Sequence, residues 1–173
     1  MAKIGFIGLG IMGAPMARHL QDAGHDLFTS KHTKPPQKEL LDKGLKVLDT
    51  PEAVAKECET VILMLPDTPQ VAEVIFGEGG AIGGLSKGKT LIDMSSISPI
   101  ETKEFAKKVR ATGAEYIDAP VSGGEVGAKN ASLSIMAGGA EATFEKALPL
   151  LKLMGKNITL VGDCGDGQVA KVA

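Results

Sequence analysis

Between an apolar run, KIGFI, and an amphipathic one, APMARHLQDAG, this chain places three glycines in six residues: Gly8, Gly10 and Gly13, in the segment GLGIMG. Glycine weakens both strands and helices, because it has the most backbone freedom to lose and no side chain to pack. Its clustering at the junction of two elements marks a place where a Cβ would be in the way. Lys3–Ile7 reads as a buried strand, and Ile11, Met12, Met16 and Leu20 follow at helical spacing. In that strand–turn–helix context G-x-G-x-x-G gives the glycines three distinct roles, namely a tight turn, approach to a pyrophosphate, and close helix–strand packing. The helix N-terminus adds free N–H groups and the positive end of its dipole. Residues Gly8, Leu9, Gly10, Ile11, Met12 and Gly13 are therefore the candidate dinucleotide cradle, with Met12 and Met16 also read as core packing. The competing reading is a turn whose glycines serve the fold alone.

Short apolar runs alternate with longer amphipathic ones along the rest of the chain, the pattern of strand–helix units over a parallel sheet. The strand candidates are Lys3–Ile7, Asp26–Ser30, Lys46–Leu48, Thr60–Leu65, Thr90–Met94, Glu115–Asp118, Ser132–Ala137 and Ile158–Val161. Ser98-Pro99-Ile100-Glu101 has the form of a capping box with proline in the first turn, and Gly113 suits the end of that helix. Thr50-Pro51 and Thr68-Pro69 read as two further helix starts. The stretch ATFEKALPLLKLMG reads as a helix ending near Gly155, irregular at Pro149. The final GDGQVAKVA reads as a helix only just begun, so a further segment is expected downstream.

A chain of 173 residues suffices for one domain with a sizeable core. Nineteen basic against 21 acidic residues leave a net charge of -2, which argues against a nucleic-acid partner and offers no basic face to a membrane. Aromatic residues make up 3% and tryptophan is absent, so stacking platforms for single strands are missing as well. Cys58 and Cys164 are too few and too far apart for a disulfide framework or a zinc site, and no metal-spaced cluster or Ser/His/Asp triad emerges. The N-terminal apolar run is too short for a signal peptide, and no stretch reaches the roughly 18 apolar residues of a membrane helix. These features point to a cytoplasmic protein.

The tips of the strands carry the remaining candidates. After the second strand stand Ser30-Lys31-His32-Thr33-Lys34, without an acidic residue to bind the ribose hydroxyls of NAD. That composition favours NADP(H), with Lys31 and His32 near the 2′-phosphate, and leaves NAD(H) open; the competing reading is two solvated loop cations. Leu65 and Pro66, and Ser95 and Ser96, lie at carboxyl ends of strands, where open parallel sheets bind ligands and where ordinary turns also occur. In DAPVSGG, successive N–H groups of Ser122, Gly123 and Gly124 offer a concave nest for a carboxylate, or a plain glycine turn. His19 and His25 flank the first helix and read as facing solvent. Lys171 is the lone cation of the last stretch, and a lone helical lysine is usually solvated.

Five segments in order, GFIGLGIMGAPMARHL, MLPDTPQV, IDMSSISP, DAPVSGGEVGAKNASLSIMAGG and GDGQVAKVA, resemble the β-hydroxyacid dehydrogenases, from residue 3 to the end. The resemblance implies an α/β fold of Rossmann type, a doubly wound, mostly parallel sheet with helices on both faces. It implies an NAD(P)-binding domain over residues 1–162 and, over 163–173, the start of an interdomain helix. The all-helical second domain that completes the site and a homo-oligomer is then missing from this chain, which by itself is expected to bind NADPH weakly and turn over poorly. By motif, Gly8, Gly10 and Gly13 would meet the pyrophosphate, and Leu65, Pro66, Gln70 and Ser96 would line the nicotinamide side. Ser122, Gly123 and Gly124 would hold the carboxylate of a small aldehyde or hydroxy acid, and Lys171 would be the catalytic general acid. Many relatives carry Asn-Arg-Thr where this chain has Lys31-His32-Thr33. The implied activity is reduction of a small 2-hydroxy-3-oxo acid, with other acids of the family as alternatives and a non-catalytic nucleotide-binding module as the rival from another class.

Overall fold

The computed structural model describes residues 1–173. Its strands are β1 (Lys3–Ile7), β2 (Asp26–Ser30), β3 (Lys46–Leu48), β4 (Thr60–Leu63), β5 (Thr90–Asp93), β6 (Glu115–Asp118), β7 (Val121–Ser122), β8 (Leu133–Gly138) and β9 (Gly155–Gly162). The helices are α1 (Gly13–Asp22), α2 (Lys38–Asp42), α3 (Pro51–Glu57), α4 (Thr68–Phe76), α5 (Pro99–Arg110), α6 (Gly124–Lys129), α7 (Glu141–Leu151) and α8 (Asp166–Val172). One sheet takes the order β3-β2-β1-β4-β5-β6-β8-β7, with β9 alongside β8. From β3 through β6 every pairing is parallel, while β8 runs antiparallel to β6 and β7 and parallel to β9. The fold is thus the Rossmann-type α/β arrangement, and the strand order reverses direction between β1 and β4.

The central strands are apolar on both faces, which is stable only where helices cover both. Period-two alternation divides their side chains between two cores. Ile4, Phe6, Ile62, Ile92 and Ile117 pack on one side with Met16, Leu20, Phe144 and Leu151 of α1 and α7. Val61, Leu63, Leu91 and Tyr116 pack on the other with Val54, Val71, Ile75, Phe105 and Val109 of α3, α4 and α5. The two junction glycines that bound α1 are held by backbone rather than by side chains. Gly8 has φ +108°, and a Cβ there would lie 2.1 Å from the carbonyl oxygen of Met64. A Cβ on Gly13 would lie 1.7 Å from the carbonyl oxygen of Gly8, so the helix starts directly on the end of the strand.

The helix signals read from sequence hold with local adjustments. Ser98 accepts from the N–H of Glu101 at 3.4 Å and Thr50 from that of Ala53 at 3.1 Å, as caps should. The third cap is Asp67 rather than Thr68: its carboxylate accepts from the Thr68 N–H at 2.7 Å, one residue earlier than the Thr-Pro signal places it. Helix α7 runs through Pro149 and ends at Leu151, and Gly155 opens β9 instead of closing the helix. Strands β4 and β5 stop at Leu63 and Asp93, before Leu65 and Met94. The two-residue β7 and the short helices α2 and α6 had no periodic signal of useful length. No helix is long and apolar enough to cross a membrane.

Because the Gly13 position is closed by the Gly8 carbonyl, Gly13→Ala is expected to destabilise the protein by about 1–3 kcal/mol through overpacking. Urea unfolding of the variant against wild type measures it, and an unchanged midpoint would show that the junction yields.

Candidate active site

The carboxyl ends of β1, β2, β4 and β5 lie on one edge of the sheet, the side on which doubly wound folds bind ligands. At the end of β1 the three glycines differ in surroundings. Gly8 and Gly13 press against backbone, whereas a Cβ at Gly10 would meet nothing within 4 Å. Leu9 and Met12 are half-buried against the core, and Ile11 stands 70% exposed beside the open position. No side chain caps α1 and no acidic residue lies in its first turn. Open space at a glycine, facing uncapped amides with no competing carboxylate, fits an anionic diphosphate.

The tip of β2 places Lys31 and His32 in solvent. Lys31 Nζ pairs with Asp49 Oδ1 at 2.7 Å, a partner contributed by the residue just beyond β3. Their hydrogen bond and mutual charge raise the lysine and lower the carboxyl from their ordinary values. His32 Nδ1 accepts from the Lys34 N–H at 3.4 Å, which curls the tip on itself.

Polar groups behind the β4, β5 and β6 ends form one network. The Leu65 N–H donates to Ser95 Oγ at 2.8 Å, and the Ser95 N–H donates to Asp93 Oδ1 at 3.0 Å. The Tyr116 hydroxyl donates to Asp93 Oδ2 at 3.3 Å. Burial pushes the Asp93 carboxyl up to about 7, against the hydrogen bonds of Ser95 and Tyr116, and neighbouring Asp118 adds to the rise. Burial likewise raises Tyr116 far above its usual range, with Asp93 adding to it. Asp118 faces Asp93 in register across β5 and β6. Its Oδ1 accepts from the Gly165 N–H at 2.7 Å and its Oδ2 from the Gln168 N–H at 3.0 Å, at the start of α8. Burial raises its pKa, and these two amides oppose the rise. The buried Gln168 side chain donates from Nε2 to the Ser95 carbonyl at 2.7 Å and accepts at Oε1 from the Ile97 N–H at 3.1 Å.

One turn along α8, Lys171 Nζ donates to Ser122 Oγ at 2.9 Å. Gly167 allows α8 to lie this close, since a Cβ there would sit 2.4 Å from the Met136 carbonyl oxygen. Gly123 and Gly124 follow Ser122 with φ +131° and +62°, a reversal that L side chains rarely adopt, and beside Gly124 a Cβ would meet open space. The structure thus brings Lys171 and Ser122 into contact and leaves Pro66, Gln70 and Ser96 exposed and Leu65 half-buried. His19 departs from its reading as a solvent-facing residue: Nε2 lies 2.9 Å from the Ala128 carbonyl oxygen and ties α1 to α6. Asp93, Asp118 and Gln168 were not singled out in the sequence, although Asp118 opens DAPVSGG and Gln168 lies in GDGQ. Cys58 and Cys164 are buried, and burial pushes their thiols up to about 12 and about 11. No three His, Cys, Asp or Glu side chains are grouped to hold a metal ion.

Residues 3–162 match the family described as the NAD binding domain of 6-phosphogluconate dehydrogenase. The chain is 56% identical over 171 residues to 2-hydroxy-3-oxopropionate reductase of Escherichia coli, covering 99% of this chain and 58% of that protein. It is 41% identical to human mitochondrial 3-hydroxyisobutyrate dehydrogenase, covering 98% of this chain and 50% of the relative. Among solved structures, 3-hydroxyisobutyrate dehydrogenase of Mycobacterium tuberculosis with L-serine superposes with a TM-score of 0.91 at 34% identity, over 99% of this chain and 58% of that one. The chain therefore spans little more than half the length of these relatives.

The buried Asp93 generates a pH dependence of stability. Its folded-state value, about 7, lies above the ordinary 3.8, so the folded protein holds a proton that the unfolded chain releases between the two. The associated stability is present in full below the unfolded value and is lost as pH rises through 7. Asp93→Asn, neutral throughout, is expected to flatten that fall, measured by urea midpoints at pH 4.5 and 8 beside wild type.

Proposed function

We propose, for a chain that belongs to the β-hydroxyacid dehydrogenase family through its NAD-binding domain, that it serves NAD(P)H-dependent reduction of 2-hydroxy-3-oxopropanoate (tartronate semialdehyde) to glycerate. The observation that carries this reading is the 2.9 Å contact of Lys171 Nζ with Ser122 Oγ on the same sheet edge as the open glycine cradle. Identity of 56% to a 2-hydroxy-3-oxopropionate reductase supports the choice of substrate, and 41% to a 3-hydroxyisobutyrate dehydrogenase makes that hydroxy acid the comparison to run.

The residues of the β1–α1 junction fit a dinucleotide. Gly8, Gly10 and Gly13, with Leu9, Ile11 and Met12, would hold the diphosphate through main-chain amides at the start of α1. Lys31 and His32 at the β2 tip favour NADP(H), with NAD(H) the alternative, and Asp49 moderates that preference by pairing with Lys31. Leu65, Pro66, Gln70 and Ser96 would line the nicotinamide side. When bound, the reduced cofactor supplies the hydride, the part of the chemistry that no side chain can provide.

What the chain itself contributes is position and a proton. The Ser122 hydroxyl and the amides of Gly123 and Gly124 would receive the substrate carboxylate in the turn that the two glycines open. The Lys171 ammonium, already held by Ser122, would donate its proton to the carbonyl oxygen as that oxygen gains charge. In the oxidative direction the same amine would take the proton back from the alcohol. Residues 163–173 would act as the start of a helix that carries this lysine to the edge of the nucleotide-binding domain.

Binding is the first test, because the candidate cradle lies wholly within the NAD-binding domain. Gly10→Val is expected to stay close to the unfolding midpoint of wild type, since a Cβ there has no protein atom within 4 Å, and to weaken NADPH by about tenfold or more as charge-assisted amide contacts are lost. Unchanged affinity by fluorescence titration would remove the dinucleotide from this junction. In turnover, measured with the second domain present, Lys171→Met is expected to lower kcat by about 10²–10⁴-fold while NADPH still binds. A near-normal rate would take the general-acid role from Lys171. Lys31→Ala is expected to weaken NADPH by about tenfold and NADH far less, and equal losses would assign the β2 tip no part in choosing the cofactor.

A further inference from the structure

We infer that Gln168 is a positioning residue that sets the register between the nicotinamide-side lip and the proton-donating lysine. This inference rests on the reductase reading and deepens it. The side chain is fully buried, yet neither end of its amide is spent on its own helix. Nε2 reaches the carbonyl of Ser95 and Oε1 the N–H of Ile97, so the amide grips the main chain on both sides of the exposed Ser96. Ser95 in turn receives the Leu65 N–H on its hydroxyl. One side chain of α8 thereby holds the β5 lip directly and the β4 lip through Ser95.

The same first turn of α8 is also held by Asp118, which accepts from Gly165 and from the N–H of Gln168 itself. Lys171 lies three residues beyond Gln168, on the same face of the helix. With the helix start held by Asp118 and its rotation held by Gln168, the Lys171 side chain has one direction left to it, toward Ser122. A leucine at 168 would fill similar space and keep the core apolar. It would leave the Ser95 carbonyl and Ile97 amide without partners, and α8 tied to the sheet edge by its main-chain bonds to Asp118 but no longer to the β5 lip. Packing alone therefore does not explain why an amide stands here, whereas fixing the distance between two lips of a site does. Reacting groups lose rate steeply with small displacements, and that sensitivity is what the clamp would control.

The test compares Gln168→Leu, Gln168→Glu and Lys171→Met with wild type in the presence of NADPH, the kcat readouts being taken with the second domain present. The first readout needs no turnover: the Hε–Cε cross-peak of Lys171, assigned by its loss in Lys171→Met. In Gln168→Leu this peak is expected to move to the position of the exposed lysines, with kcat lower by about 10²-fold and the NADPH dissociation constant within about threefold. In Gln168→Glu a neutral carboxyl can again donate to the Ser95 carbonyl and accept from Ile97. The ratio of its kcat to that of wild type is therefore expected to climb as pH is lowered, and the Lys171 peak to return with it. A Lys171 peak that stays in place in Gln168→Leu would overturn the inference. Should Gln168→Leu fail to fold, a Gln168→Glu protein whose Lys171 peak and relative kcat ignore pH would do the same. Failure of the reductase reading has a different signature: wild type shows no turnover of the aldehyde, or Lys171→Met keeps it, while the wild-type cross-peak still follows residue 168.

Discussion

Asp93 and Asp118 lie out of water in register at the carboxyl ends of β5 and β6. A carboxyl in that position is costly unless donors reach it, so the chain around it is constrained to deliver them. For Asp93 the donors are the Ser95 amide, which turns the chain after β5 back toward its own strand, and the Tyr116 hydroxyl from β6. For Asp118 they are two main-chain amides of the last helix, which must come to the sheet edge to supply them. The position of α8, and with it that of Lys171, is in this sense the answer to a solvation problem inside the sheet. Gln168 joins the two solutions, because its amide closes on the loop that Asp93 has shaped.

The glycines show the same economy in another form. Ordinary L side chains are excluded from Gly8, Gly13 and Gly167 by carbonyl oxygens of the protein, while Gly10 and Gly124 border open space. The first group lets two helices begin against strand ends. The second lies where the diphosphate and the carboxylate are proposed to sit. Glycines that look alike in the sequence thus divide into positions closed by packing and positions open beside them, Gly124 being favoured as glycine by its φ of +62° as well.

Much of this was legible beforehand. The parallel core was readable because Lys3–Ile7, Thr60–Leu63 and Thr90–Asp93 are apolar runs bounded by turn residues, and because Ser98 and Thr50 are strong caps. Lys171 was weak as a lone helical cation and gained weight through its resemblance to a family motif. What stayed hidden depends on contacts between residues far apart in the chain. Gln168 meets Ser95 across 73 positions, His19 meets Ala128 across 109, and neither glutamine nor histidine announces such a partner locally. Lys31 read as an available cation because Asp49, its partner, arrives from the next strand over. The short α2 and α6 escaped because five and six residues carry less than two helical turns of pattern.

The free room beside Gly10 has a bearing on how this chain can change over time. No protein atom lies within 4 Å of a Cβ there, so packing against that position does not retain glycine. On the proposed reading, contact with the nucleotide does. A lineage that abandoned the cofactor would be free to drift at Gly10 while Gly8 and Gly13 stayed put, leaving a well-folded descendant whose lost trade is written in one substituted position.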